Sequence, residues 1–224
     1  MLKHPYDRLR PRRRSPRWSE SPVARLVRMP HTHAALVALT AAAGLLSCSA
    51  TAPPAADQAG NHRSLLALTD VAAQRVLLGD TVAAAKWGTA APIDDPVREQ
   101  AVLDAAAAKA TQLGVDPTFA RAVFADQIEA NKAVQNGLYY QWRAHPDRAP
   151  TTRPDIAQVR PILDRITDQL LVDLKITAQI RTQPSCAGQL TAARHHVEHT
   201  RQLDPLHEDA LIRALSSLCR ERPR

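Results

Sequence analysis

The chain has 224 residues, 45% of them hydrophobic, with seven glycines, 17 prolines and a formal net charge of +7. That is enough apolar material for one domain, or two small ones, with a buried core. Nine of the 29 Lys/Arg and two of the 22 Asp/Glu fall in residues 1–28, which leaves twenty of each for the rest of the chain. A formally neutral body excludes a general nucleic-acid-binding face; the excess charge belongs to the N-terminal segment.

Residues 1–50 read as a basic leader and signal peptide. The apolar stretch Ala34–Leu46 is too short to span a bilayer comfortably, and small residues and prolines follow it. Its end, Leu45-Leu46-Ser47-Cys48, resembles the lipobox of bacterial lipoproteins. Two outcomes are open: lipidation of Cys48, which would give a membrane anchor, or ordinary cleavage nearby. Either removes Cys48 from disulfide pairing and leaves Cys186 with Cys219, which an exported protein can oxidise. The loop they close, about 33 residues, is worth roughly 3–4 kcal/mol in the chain-entropy model.

Residues 51–61 (TAPPAADQAG and its neighbour) read as a linker, and residues 62–221 as a helical domain. Few glycines, many alanines and no sustained alternation of β-branched residues predict helix almost throughout. Ser64–Leu78 is amphipathic, and Gly79-Asp80-Thr81 is expected to kink this helix or restart it with Asp80 as N-cap. Asp95-Pro96 and Asp116-Pro117 are N-cap and N1 pairs. They start one helix that runs to about Leu113 and stops at Gly114, and a second that runs to about Trp142. Ala144–Pro154 is a surface connection. Asp155 caps a helix expected to reach about Thr182, with Pro161 either delaying its start or kinking it. Pro184-Ser185-Cys186 opens a helix ending near Leu203, and Asp204-Pro205 opens the last, through Cys219. The predicted fold is all-α: about six helices in a single bundle domain, with a disulfide-pinned C-terminal helical hairpin.

The cations of the body recur at fixed intervals. Arg75 and Lys86 are eleven residues apart, about three helical turns, so one helical face carries both. Arg98 and Glu99 follow near the start of the next helix, and Arg160 comes later. Several cations directed from apolar helices into one space imply a site for a small polyanion.

These residues in this order resemble the all-helical chorismate mutases. The matching positions are Arg75, Lys86 after eleven residues, Asp95-x-x-Arg98-Glu99, and Phe124-x-x-Gln127-Ile128 followed by Asn131 and Gln135. Arg160, Pro184-Ser185-Cys186 and Cys219 are similar to the secreted subclass, which carries an extra arginine and a C-terminal disulfide. The resemblance covers residues 62–220. It implies conversion of chorismate to prephenate by an exported enzyme of aromatic amino-acid biosynthesis, a homodimer that needs no cofactor. By the same resemblance Arg75 and Arg160 clamp carboxylates, Lys86 reaches both a carboxylate and the ether oxygen, and Gln135 donates to the same oxygen. Glu99 and Asp95 hold the ring hydroxyl, Arg98 adds positive potential, and Asn131 lies near a carboxylate. Val102 departs from the family, some of whose secreted members have a polar glutamine there; Pro161 puts the aim of Arg160 in question.

Other residues have plainer readings. His195 and His199 share a helix face without a third ligand, so no metal site is expected. Trp87 and Trp142 are expected in the core or at a dimer interface. The competing functional reading is a non-catalytic exported helical binding protein, or a lipoprotein adaptor, for a small dicarboxylate or a protein partner.

Overall fold

The computed structural model describes residues 55–219. The leader, the signal-peptide reading and Cys48 lie outside the described residues. Among these residues there are six α-helices, two single-turn 3-10 segments and no strand. The helices are α1 (Ala55–Lys86), α2 (Pro96–Leu113), α3 (Pro117–Ala144), α4 (Ile156–Ile176), α5 (Cys186–Arg201) and α6 (Pro205–Ala214).

Helix α1 is the axis of the bundle and packs against α3, α4, α5 and α6. Its central section explains why. Leu65, Leu68, Ala72, Ala73, Val76 and Ala83 are all buried, and together they cover more than one stripe. A helix apolar around most of its circumference is stable only when surrounded. The main core joins Leu68 and Ala72 to Phe119, Val123 and Phe124 of α3 and to Leu170, Leu171 and Leu174 of α4.

The restart considered at Gly79 does not occur: α1 runs unbroken through Gly79-Asp80-Thr81. Gly79 serves packing instead. A Cβ there would lie 2.9 Å from Val134 Cγ1 and 3.2 Å from Asn131 Nδ2, so its absence lets α3 approach α1 closely. Asp80 caps nothing in α1; its carboxylate meets His207 Nε2 at 2.9 Å.

The cap signals at other helix starts hold. Asp95 Oδ1 accepts from the Arg98 N–H at 3.0 Å, Asp116 Oδ1 from Thr118 at 2.9 Å, and Asp155 Oδ1 from Ala157 at 2.8 Å. Gly114 ends α2 in the left-handed conformation, with φ 73°. Helix α4 starts at Ile156, directly after its cap, so Pro161 does not delay it.

Two helix ends come early. Helix α4 stops at Ile176 because side chains take over its last carbonyls. Thr177 Oγ1 donates to Asp173 O at 2.7 Å and Arg181 Nη2 to Leu174 O at 3.0 Å. Helix α6 stops at Ala214, and Ser217 N–H turns to Asp126 Oδ2 at 2.7 Å. Cys186 and Cys219 are disulfide-bonded, with Cα atoms 5.7 Å apart. The bridge ties the first residue of α5 to the segment that follows α6.

Candidate active site

Four helices and one connection enclose a cavity of about 710 Å³. Arg75 and Lys86 of α1, Arg98 and Glu99 of α2, Asn131 and Gln135 of α3, and Arg160 of α4 all line it, as does Asp95 at the α2 cap. The eight positions predicted from sequence therefore face a single space. Helical periodicity does this locally: Arg75, Val82 and Lys86 fall at i, i+7 and i+11 on α1. Val102 lines the same cavity as an apolar side chain.

The floor of the cavity is buried and its mouth is open. Arg75 and Gln135 are 8% and 3% exposed, whereas Arg98 and Arg160 are exposed. Arg75 donates from Nη1 to Thr167 Oγ1 at 3.2 Å, and its guanidinium lies 5.7 Å from the centroid of the Phe124 ring. Its Nε is buried without a partner. Burial pushes its pKa down to about 10, with Asp164 opposing the shift. A desolvated arginine with an unused donor is a receptor for a carboxylate.

Lys86 donates from Nζ to the Pro92 carbonyl at 2.8 Å. Two of its three donors remain for a ligand. Burial lowers its pKa, and Asp95, Glu99 and Asp94 oppose that shift. Gln135 Nε2 donates to Asn131 Oδ1 at 2.8 Å and, at the long limit of 3.5 Å, to the Asn131 carbonyl. Its Oε1 is buried without a partner. The Asn131 side chain is thus engaged in orienting Gln135.

Asp95 and Glu99 bond reciprocally around the start of α2: the Asp95 N–H donates to Glu99 Oε1 at 3.1 Å. Further side chains border the cavity that sequence reasoning did not single out, among them Asp164, Thr167, Lys109 and Lys132. Asp164 and Thr167 fall at i+4 and i+7 from Arg160, a same-face spacing that is readable in the sequence. Lys132 pairs with Asp94, which lies far from it in the chain.

The chemistry of such a lining is binding and electrostatic stabilisation. Cations and neutral donors surround a desolvated floor, beside two carboxylates at the α2 start. A model of the family described as chorismate mutase type II matches residues 66–136, the segment that carries seven of the eight positions. The secreted chorismate mutase of Mycolicibacterium smegmatis is 35% identical over 186 residues, which cover 83% of this chain and 99% of that protein. The chain belongs to the chorismate mutase family.

Solved chorismate mutases share the fold. The Burkholderia phymatum enzyme superimposes with a TM-score of 0.69 at 34% identity, covering 72% of this chain and 99% of its own. The Burkholderia thailandensis enzyme does so with 0.67 at 40% identity, covering 70% and 99%. In this chorismate mutase a smaller cavity, about 210 Å³, lies between Gly114–Phe119 and Lys175–Thr182, away from the eight positions. The three aromatic residues Trp87, Tyr139 and Trp142 form a cluster beyond the end of α1, with the two indoles 5.3 Å apart edge to face. His195 stands on the outer face of α5, its Nδ1 3.0 Å from Glu198 Oε2.

Proposed function

We propose that the 710 Å³ cavity holds chorismate in its compact diaxial form and turns it into prephenate there. In this rearrangement one C–O bond breaks as one C–C bond forms within a single molecule. No nucleophile, acid or base is needed, so acceleration comes from restricting the conformer and stabilising charge on the breaking ether oxygen. A millionfold acceleration requires roughly 8 kcal/mol of differential stabilisation.

Arg75 and Arg160 clamp the two carboxylates from the floor and the mouth. Lys86 and Gln135 donate to the ether oxygen. Glu99 takes the ring hydroxyl with Asp95 beside it, and Arg98 adds positive potential. Asn131 holds the Gln135 amide through Oδ1 at 2.8 Å and through its carbonyl at 3.5 Å, and the longer bond gives way when Gln135 Nε2 meets the ether oxygen. What supports the reading is one observation: two buried polar side chains of different helices, Arg75 and Gln135, line the same cavity and keep unsatisfied atoms, the donor Nε of Arg75 and the acceptor Oε1 of Gln135. Purified protein should convert chorismate to one equivalent of prephenate, followed by loss of chorismate absorbance and by NMR of the product. Absence of turnover overturns the proposal.

The enzyme acts after export and as a homodimer in this reading. Export is supported by the basic and apolar leader, by the Cys186–Cys219 disulfide and by a relative named as secreted. Mass spectrometry of the mature N-terminus decides between a lipidated Cys48 and simple cleavage.

A further inference from the structure

Lys132 borders the cavity beside Asn131. Its ammonium lies 2.7 Å from Asp94 Oδ1, 2.8 Å from Glu129 Oε1 and 3.5 Å from Glu99 Oε1, and its side chain is only 17% exposed. Asp94 precedes the α2 cap and Glu99 sits in its first turn. One ammonium therefore ties the segment that carries Asp95, Arg98 and Glu99 to the helix that carries Asn131 and Gln135.

The contact also fixes a particular oxygen. Glu99 Oε1 receives the Asp95 N–H at 3.1 Å and faces Lys132 at 3.5 Å, so Oε2 is the atom left for a ligand. Lys86 lies close enough to Asp95, Glu99 and Asp94 to feel all three charges.

We propose that Lys132 is a positioning residue for the reaction: it anchors Glu99 Oε1 so that Oε2 meets the substrate hydroxyl. This rests on the assignment of Glu99 made above. The hydroxyl is held alike in the ground state and the transition state, so losing the aim of Glu99 weakens binding more than the chemical step, and the Michaelis constant carries the effect.

The test is a steady-state cycle on the full chain with chorismate: wild type, Lys132→Met, Lys132→Arg, Glu99→Gln and the Lys132→Met/Glu99→Gln double variant. Lys132→Met should raise KM about tenfold and change kcat by less than about threefold. Lys132→Arg should recover most of the loss. Adding Lys132→Met to Glu99→Gln should change KM by less than about twofold. Should Lys132→Met not fold, Lys132→Gln carries the same expectation. An unchanged KM, or the full tenfold effect persisting beside Glu99→Gln, overturns the inference. An active wild type with an unimpaired Glu99→Gln overturns the hydroxyl assignment itself, and an inactive wild type overturns the proposed function.

Discussion

At the residue scale, function and stability oppose one another at Arg75. Its folded pKa lies below its unfolded value because the charged form is desolvated. A depressed cation destabilises the fold at every pH below about 10 and is relieved only as pH rises through that value. Arg75→Met should therefore raise the unfolding free energy by about 1–3 kcal/mol, and the denaturation midpoint with it, while abolishing turnover. Denaturant titration beside the chorismate assay checks both. Gln135 has a different signature. An amide does not titrate, so no acid-shifted optimum is expected, whereas Gln135→Glu donates only when protonated and its rate should fall as pH rises. An unchanged pH profile would remove Gln135 from the ether oxygen. The charged positions were legible in the sequence because helical spacing and family order mark them. Lys132 was not, because its meaning depends on Asp94, 38 positions earlier, and only packing brings the two together.

At the element scale, glycine chemistry was read correctly at one position and incorrectly at another. Gly114, just past the periodic run, is a left-handed cap as expected. Gly79 looked like a break because local propensity gives no hint of a neighbour; its role is set by Val134 and Asn131 across the α1–α3 contact. Gly79→Ala adds helix propensity, yet overpacking against a stiff β-branched valine should cost about 1–3 kcal/mol. It should also lower kcat, since Asn131 orients Gln135; thermal melts and kinetics of the variant test both effects. Helix starts were predictable because an Asp followed by Pro encodes its own cap. Helix ends were less so: Arg181 and Asp126 terminate α4 and α6 through contacts that sequence spacing does not display.

At the scale of the whole molecule, one covalent fastening, Cys186–Cys219, joins the C-terminal helices to each other. Side-chain contacts such as Arg201 Nη2 with Asp70 at 2.7 Å and Gln127 Nε2 with Ala214 O at 2.9 Å hold them to the body. A further contact with the body is made by His207 of α6, 7% exposed at its side chain, with Asp80 of α1 at 2.9 Å and Asp204 at 2.7 Å. The Asp80 hydrogen bond raises the His207 pKa to about 9, with Asp204 adding to it and burial opposing. A raised histidine stabilises fully below its unfolded pKa of about 6.5 and loses that contribution as pH rises through about 9. The thermal midpoint should fall between pH 6.5 and 9.5, and His207→Gln should flatten that slope. Asp80 lies between Arg75 and Lys86, so this fastening also steadies the helix that presents both cations.

Lys86 is where bundle, cavity and chemistry meet, and its replacement tests the site most directly. With chorismate as substrate, Lys86→Ala should fold as the wild type does and lose about three orders of magnitude or more in kcat/KM. A correctly folded Lys86→Ala within tenfold of the wild-type value would contradict the assignment of this cavity as the place where the ether bond breaks.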